Sequence, residues 1–233
     1  MINGERVTAV IAAAGSRTRM GGSTNKVFLM LNGKTVIENT LSVIEQCEEI
    51  DDIVVVTRSC DVLECMEYIC GCKKRVRIVP GGAQRQDSVR KGLDEARESG
   101  YVVIHDGARA LVTEEIIKNT LRDAVSFGAA ATGVMCKDSL KKIGCDGFIE
   151  ETIDRESVCL IQTPQVFKTE DIIKAHELAR KDGFYAADDC ALYEKYIGRI
   201  RLTEGSYENI KLTTPEDMIS AEVILKKRQG GMA

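Results

Sequence analysis

Apolar runs alternate with amphipathic stretches along roughly the first 135 residues, and this pattern is the clearest structural signal of the chain. The apolar runs centre near Val7, Ile53, Val76, Val102 and Ala130, and the segments between them have helical periodicity. Strands that alternate with helices are typical of an α/β fold with a parallel, doubly wound sheet. Ligands bind such sheets beyond the carboxyl ends of the strands, so we expect the functional site at that edge.

The pattern changes over residues 137–160, where two short alternating segments, 139–143 and 147–152, flank the turn 144–146. This arrangement predicts a β-hairpin arm that protrudes from the domain. An isolated hairpin is marginal in water. We therefore expect the arm to pack on another surface, either the same arm of a second subunit or an edge of its own chain. The whole chain, residues 1–233, is predicted to be one domain with this arm as an insertion.

Further helices are predicted on both sides of the arm. Gly33-Lys34-Thr35 resembles the end of a P-loop, but Phe28 stands where that motif needs glycine, so we expect a turn that opens a helix over 36–47. After the arm, the sequence predicts a helix from Thr169, a helix over 188–196, a strand around Ile200 and a last helix after Pro215.

The loop after the first strand combines small residues with cations. Residues 13–15 are Ala-Ala-Gly, Arg17 and Arg19 follow them, and Lys26 comes shortly after. Small side chains allow backbone N–H groups to close on a phosphate, and the cations then neutralise a polyphosphate. The loop therefore predicts a nucleoside triphosphate site, with a surface loop of solvated charges as the open alternative. A dinucleotide site is excluded, because the glycine spacing is wrong and the second strand ends without an acidic residue.

The third and fourth predicted strands also end in residues suited to a nucleotide. After the third strand, Gly81 and Gly82 supply backbone that can contact a base edge, and Ser88 caps the next helix or contacts phosphate. After the fourth strand, Asp106 can orient a ribose or the hydration shell of Mg²⁺. The open alternatives are an ordinary turn between strand and helix, and a structural ion pair between Asp106 and Arg109.

Composition narrows the classes of function. The formal net charge of −4 gives no global attraction to nucleic acid or to an anionic membrane, so an anion site must be a local concentration of cations. The nine cysteines lack the paired spacing of a zinc site, and only two histidines are present, so we expect reduced thiols rather than a metal centre. No membrane span or signal peptide is evident in the sequence, which predicts a cytoplasmic protein.

Five segments in register resemble one enzyme family. They are residues 12–20 with Lys26, 81–88, 105–109, Arg155 with 163–165, and 204–217. Together they resemble the 2-C-methyl-D-erythritol 4-phosphate cytidylyltransferases of the non-mevalonate isoprenoid pathway, over nearly the whole chain. The resemblance implies a homodimer with a Rossmann-like core and a hairpin arm. The implied reaction is transfer of CMP from CTP to the substrate's phosphate with Mg²⁺, and release of pyrophosphate.

The resemblance also assigns roles to individual residues. Arg19 and Lys26 would stabilise the transition state, and Arg155 and Lys211 would hold the erythritol phosphate, with plain surface charges as the alternative for the latter two. Hydroxyl contacts to the substrate would come from Ser139 of the neighbouring subunit and from Thr163. The nucleotide would be bound by Ala13, Ala14, Gly15, Gly82, Arg85, Ser88, Asp106, Gly107 and Arg109. Mg²⁺ would be held mainly by the phosphates of CTP, with Asp106 as the candidate protein ligand.

Three positions depart from the family pattern. Asn25 and Ala110 stand where proline is common, and Ala187 stands where a hydroxyl residue is common. Two other functions stay open. One is that of the sister family, the ribitol 5-phosphate cytidylyltransferases, which shares fold, nucleotide and reaction. The other is a non-catalytic nucleotide-binding regulatory module. Chain length and the run 209–217 favour the erythritol enzyme, and the intact Arg19, Lys26 and Lys211 argue against the non-catalytic module.

Overall fold

A computed structural model of the chain describes residues 1–15 and 25–230. Its strands are β1 (Val7–Ala12), β2 (Met30–Leu31), β3 (Lys34–Thr35), β4 (Asp52–Thr57), β5 (Arg75–Pro80), β6 (Tyr101–Asp106), β7 (Ala129–Met135), β8 (Leu140–Ile143), β9 (Ile149–Ile153), β10 (Cys159–Lys168) and β11 (Arg201–Glu204). Its α-helices are α1 (Val36–Gln46), α2 (Val62–Ile69), α3 (Arg85–Asp94), α4 (Glu114–Phe127), α5 (Thr169–Asp182), α6 (Asp189–Tyr196) and α7 (Pro215–Gln229). None of these helices has both the length and the apolar character needed to cross a lipid bilayer.

Seven strands form the central sheet, in the order β11-β7-β10-β6-β1-β4-β5. β10 runs antiparallel to both of its neighbours, β6 and β7, and the other neighbouring pairs are parallel. The predicted α/β fold with a mostly parallel sheet is therefore confirmed. Every strand expected in the first part of the chain is present in this sheet.

β10 is a central strand that the sequence analysis did not predict. Its middle is polar and contains Pro164, and the pairing with β7 shifts register between Ile161 and Gln165. Proline has no N–H to donate to a β-ladder, so sheets accept it only at edges or at irregularities. Pro164 lies within the register shift of β10. The polar residues interrupt the apolar pattern, so the sequence shows no strand signal here. In the sheet, β10 joins the two parallel parts.

Side chains of the central strands alternate between two apolar layers, one on each face of the sheet. On β1, Val7, Ala9 and Ile11 pack in the layer beneath α1, α2 and α4, whereas Val10 packs in the layer beneath α3, α5 and α6. This alternation is the two-residue period of a strand. Helices cover both faces, as the doubly wound prediction requires. A smaller cluster holds α7 through Ala221.

The turn predicted before α1 is present. Asn32 and Gly33 have φ angles of 52° and 82°, in the left-handed region that suits these two residue types. Thr35 then caps α1 and forms a reciprocal capping box with Glu38. Residues 33–35 therefore open a helix, as expected, and do not form a phosphate loop.

The predicted hairpin arm is also present. β8 and β9 pair only with each other in the described part of the chain and form a separate antiparallel sheet. Ile143, Phe148 and Ile149 on this hairpin are 64%, 73% and 65% exposed, so its apolar side chains lack a cover within the described part of their own chain.

Candidate active site

A cavity of about 500 Å³ lies at the carboxyl ends of β1, β4, β5 and β6, the edge at which the sequence predicts a ligand site. Its walls include Ala12 at the end of β1, residues 13–15 after it, and residues 82–85 after β5. The charged side chains that line it in the described part of the chain are four cations, Lys26, Arg58, Arg85 and Lys211, and one acid, Asp106. The cavity therefore carries a local excess of positive charge, which suits a polyphosphate.

The loops after β1 and β5 lie against each other at this edge. A Cβ atom on Gly81 would lie 2.6 Å from the Cβ of Ala14 and 2.8 Å from Oγ of Ser88, so only glycine fits here. The Ser88 hydroxyl accepts a hydrogen bond from the N–H of Gly82 at 3.0 Å and donates one to the carbonyl of Gln84 at 3.0 Å. These contacts hold the loop that Gly82 begins.

One expectation for Ser88 is wrong. The residue that caps α3 is Gln84, and Ser88 lies one turn inside the helix, where its hydroxyl reaches back to the loop. Ser88 still lines the cavity, so a phosphate or base contact stays a prediction for it.

Asp106 lies at the centre of a charge network at the end of β6. Its Oδ1 is 3.2 Å from Nε of Arg85, and its Oδ2 is 2.8 Å from Nζ of Lys211 and 3.8 Å from Nε of Arg109. Burial by itself would raise the pKa of this carboxyl, but Arg85, Lys211 and Arg109 outweigh it and hold the pKa well below its usual range. Asp106 is therefore ionised and fixes both Arg85 and Lys211 at the cavity wall.

A second buried acid, Asp189 at the start of α6, holds Arg85 from the other side. Its Oδ2 accepts a hydrogen bond from Nη1 of Arg85 at 2.7 Å, and its Oδ1 is 3.0 Å from Nε2 of the buried His176. Burial raises the pKa of Asp189, but the charge of Arg85 and the contact with His176 outweigh it, so its pKa is lowered. Arg85 is thus clamped between two carboxylates. Asp189 and His176 were not predicted from the sequence, because no local motif links α5 and α6 to α3.

Thr163 lies behind Asp106 rather than in the cavity wall. Its hydroxyl accepts a hydrogen bond from the N–H of Asp106 at 3.0 Å and is 3.0 Å from Nδ1 of His105. Burial lowers the pKa of His105 to about 4, so the ring is neutral at pH 7. The Thr163 hydroxyl then donates to Nδ1, and Nε2 donates to the carbonyl of Arg109, 3.2 Å away. In this structure Thr163 fixes the backbone at Asp106, and its predicted contact with substrate stays a prediction.

Two other predicted nucleotide-binding residues lie behind the cavity wall. Nη1 of Arg109 donates to the carbonyl of Asn209 at 2.6 Å, which ties the end of β6 to the segment that carries Lys211. Gly107 packs behind Ala13, and its N–H donates to the carbonyl of Ala12 at 2.9 Å. Ala13, Ala14, Gly15, Gly82 and Arg85 do line the cavity.

The arm residues lie elsewhere. Arg155 and Ser139 are exposed, and neither lines the cavity of its own chain. Nη1 of Arg155 donates to the carbonyl of Lys137 at the base of the arm, at 3.1 Å. Arg17 and Arg19 lie outside the described residues, so the structure does not place them.

The described residues contain no group of three or more His, Cys, Asp or Glu side chains that could hold a metal ion. Among the described residues, Asp106 is the carboxylate that lines the cavity, and its oxygens also contact Arg85 and Lys211. Mg²⁺ prefers oxygen ligands, so Asp106 is the described residue that fits a shared Mg²⁺ site, in which the phosphates of a ligand supply the other oxygens.

The chain matches one family over almost its whole length. The sequence model of the family described as IspD: 2-C-methyl-D-erythritol 4-phosphate cytidylyltransferase matches residues 7–227. A relative of that name from Caldanaerobacter subterraneus subsp. tengcongensis is 44% identical over 225 residues, which cover 95% of this chain and 99% of the relative. Another relative of that name, from Clostridium acetobutylicum, is 41% identical over 222 residues, which cover 94% of this chain and 97% of the relative.

The fold agrees with this match. The crystal structure of 4-diphosphocytidyl-2C-methyl-D-erythritolsynthase from Anaerococcus prevotii DSM 20548 superposes with a TM-score of 0.87 at 32% identity. The match covers 97% of this chain and 98% of that one. By its sequence and its fold, the chain belongs to the 2-C-methyl-D-erythritol 4-phosphate cytidylyltransferase family.

Proposed function

We propose that this chain transfers the cytidylyl group of CTP to the phosphate of 2-C-methyl-D-erythritol 4-phosphate, with release of pyrophosphate, as a step of isoprenoid precursor synthesis. The observation that carries the proposal is the excess of cations around the strand-end cavity in a chain of this family. A triphosphate and a sugar phosphate together bring several negative charges to one site. These charges would be offset by the four cations of the cavity, Lys26, Arg58, Arg85 and Lys211.

The reaction needs positioning and charge neutralisation more than proton transfer. A phosphate oxygen of the acceptor is already a nucleophile, so the site needs no general base. Lys26, together with Arg19, would stabilise charge that develops on the α-phosphate and on the departing pyrophosphate. Lys211, held by Asp106 at 2.8 Å, would bind the acceptor phosphate. The backbone of Gly82 would contact the base, and the backbone of Ala14, on the adjoining loop, would contact phosphate.

A divalent cation completes the proposal. Mg²⁺ would be held mainly by the phosphate oxygens of CTP, with Asp106 as its candidate ligand from the protein. Bound there, it would neutralise phosphate charge and favour departure of pyrophosphate. The contacts of Asp106 with Arg85 and Lys211 would keep its carboxylate ionised and in place for this role.

We further propose a homodimer in which each arm reaches the cavity of the other subunit. Ile143, Phe148 and Ile149 are exposed on a two-stranded sheet, which is marginal alone and gains stability when a partner covers it. The predicted contacts of Ser139 and Arg155 with substrate also require another chain, because both lie away from their own cavity. The active site would then be shared between subunits.

Hybrid dimers test this arrangement. Lys26→Met and Arg155→Ala chains, each inactive alone, are coexpressed with different tags. A hybrid dimer then contains one site with both residues intact, and random pairing gives about a quarter of wild-type activity. Pyrophosphate release from the mixture measures it, with each variant alone as the control. An inactive mixture of verified hybrid dimers would mean that each site uses only its own chain.

The acceptor is tested by pyrophosphate release from CTP and Mg²⁺ in parallel reactions with 2-C-methyl-D-erythritol 4-phosphate and ribitol 5-phosphate. We expect release only with the erythritol phosphate. Release only with ribitol 5-phosphate would assign the chain the activity of the sister family. Release with neither, in a folded sample that binds CTP, would favour a non-catalytic nucleotide-binding module.

We propose that the whole chain acts as one domain with an inserted arm, in the cytoplasm. The nine cysteines are all described and all free thiols, which fits a reducing compartment.

A further inference from the structure

Asn25, Arg58 and Asp61 form a hydrogen-bonded group, the Asn25 cluster, at the cavity wall beside Gly15 and Lys26. Residues 13–26 are called the phosphate loop, after the role predicted for them. Asp61 accepts hydrogen bonds from Nε of Arg58 at 2.5 Å and from Nη2 of Arg58 at 2.7 Å, which makes the pair bidentate. Nδ2 of Asn25 donates to Oδ2 of Asp61 at 2.9 Å. Asn25 and Asp61 are 1% and 2% exposed, so the cluster is built into the protein rather than lying on its surface.

Asn25 ties together the two described ends of the phosphate loop, residues 13–15 and 25–26. Its Nδ2 also donates to the carbonyl of Ala13 at 3.0 Å, and its Oδ1 accepts from the N–H of Val27 at 3.4 Å. Ala13 follows β1 at the start of the loop, and Asn25 directly precedes Lys26 at its end. A proline, the residue common in the family at this position, has no side-chain polar group and makes none of these bonds. In this chain a buried amide therefore fixes the position at which Lys26 leaves the loop.

Arg58 brings a cation to the cavity that the sequence analysis did not assign. Two of its guanidinium nitrogens, Nε and Nη2, are held by Asp61, and Nη1 lies outside this bidentate pair. The side chain is 20% exposed and lines the cavity with Gly15, Asn25 and Lys26. Burial raises the pKa of Asp61, but hydrogen bonds from Arg58 and Asn25 outweigh it and lower the pKa, so the carboxylate that holds Arg58 is ionised.

The position of Arg58 favours contact with phosphate rather than with the base. Asp61 directly precedes α2, which packs on the α1 face of the sheet, and Phe28 in the turn that carries Lys26 stacks on Tyr68 of α2, with ring centroids 5.4 Å apart. Ser88 belongs to α3, on the opposite face. The cluster thus anchors Arg58 toward the phosphate-loop side of the cavity, where a guanidinium suits phosphate oxygens.

We propose that Arg58 binds the β- or γ-phosphate of the nucleotide, and that Asn25 and Asp61 are positioning residues that fix Arg58 and the end of the phosphate loop. This inference rests on the proposed function, since it names a contact with its nucleotide. It assigns binding of the phosphate tail to Arg58 and correct placement of Lys26 to Asn25.

Arg58→Gln tests the phosphate contact, with Arg97→Gln as the control. Arg97 is exposed and pairs with Asp94 on the surface, so this change removes the same charge outside the cavity. Calorimetric titration with CTP and with CMP separates tail binding from base binding. We expect Arg58→Gln to weaken CTP binding about tenfold, as loss of one charge-assisted hydrogen bond does. CMP binding should change less than twofold, and Arg97→Gln should bind both like the wild type.

The comparison of the two nucleotides also separates this inference from the proposed function. Suppose that the wild type binds CTP. If Arg58→Gln then weakened the binding of CTP and CMP equally, or weakened neither, the role of Arg58 would be overturned. A wild-type protein that bound no CTP would overturn the proposed function and this inference together. The unfolding temperature of each variant shows whether a loss of binding comes from a loss of fold.

Asn25→Ala and Asn25→Pro test the positioning role. The φ angle of Asn25 is −66°, which proline adopts without strain, so Asn25→Pro keeps a rigid backbone and removes only the hydrogen bonds of the amide. We expect both variants to lower kcat about tenfold at saturating CTP, with a smaller change in KM, because Lys26 loses its fixed position. Full kcat in a folded Asn25→Pro variant would show that rigidity alone suffices and would overturn the role of the amide.

Discussion

Replacing Lys26 with methionine is expected to lower kcat at least ~10²-fold, because removal of one preorganised contact to transition-state charge typically costs that much. Methionine keeps much of the length of the lysine stem and removes only the ammonium group. The fold should survive, since the neighbouring Val27 and Phe28 are buried and continue to anchor the turn. Pyrophosphate release at saturating CTP and 2-C-methyl-D-erythritol 4-phosphate measures the loss.

Lys34→Met is the matched control for this experiment. Lys34 lies on β3, outside the cavity, and its ammonium group contacts the hydroxyl of Ser42 on the surface. We expect wild-type turnover from Lys34→Met. Undiminished turnover in a folded Lys26→Met protein would contradict the role of Lys26 in the transition state and would leave Arg19 as the assigned stabiliser.

The second large effect is expected on stability. Asp189→Ala removes the carboxylate that pairs with Arg85 at 2.7 Å and with His176 at 3.0 Å. Breaking a buried charge pair by removal of one partner costs about 3–5 kcal/mol, because the other charge stays buried without compensation. Arg85 keeps its contact with Asp106 and its side chain is 27% exposed, so we expect the lower end, about 3 kcal/mol. Equilibrium unfolding in urea measures the loss.

Asp94→Ala serves as the control for this measurement. Asp94 also pairs with arginines, at 2.6 Å from Arg97 and 3.7 Å from Arg90, but it lies on an exposed face of α3. Exposed ion pairs contribute less than about 1 kcal/mol, so this variant should unfold almost like the wild type. If both variants lost the same small amount of unfolding free energy, the buried clamp on Arg85 would have no special structural role.

Local sequence signals were sufficient wherever a structural feature depends on neighbouring residues. Apolar runs separated by helical segments predicted five strands of the central sheet, because a buried strand needs little more than continuous apolar side chains. These strands are β1, β4, β5, β6 and β7. Rejection of a P-loop at residues 33–35, where Phe28 stands in place of the required glycine, located the turn that opens α1 in the same way. The hairpin arm was also visible, because two alternating segments flank a short turn.

Features that depend on distant contacts were not visible in the sequence. β10 has a polar middle with a proline, and it is a strand because β6 and β7 flank it. The structure uses the hydroxyl of Ser88 to hold a loop, although its position near a helix start suggested a cap. In both cases the surrounding tertiary structure outweighed the local preference.

The sequence by itself determined the α/β architecture, the edge of the sheet that carries the site, and the cavity residues in the loops after β1, β5 and β6, because their small and charged residues follow apolar strands. Only the tertiary structure decided how those cations are held. Asp189 reaches Arg85 across 104 positions of the chain, and Asp61 reaches Asn25 across 36. Such pairings follow from the packing of whole helices against the sheet, which no local pattern of residues encodes.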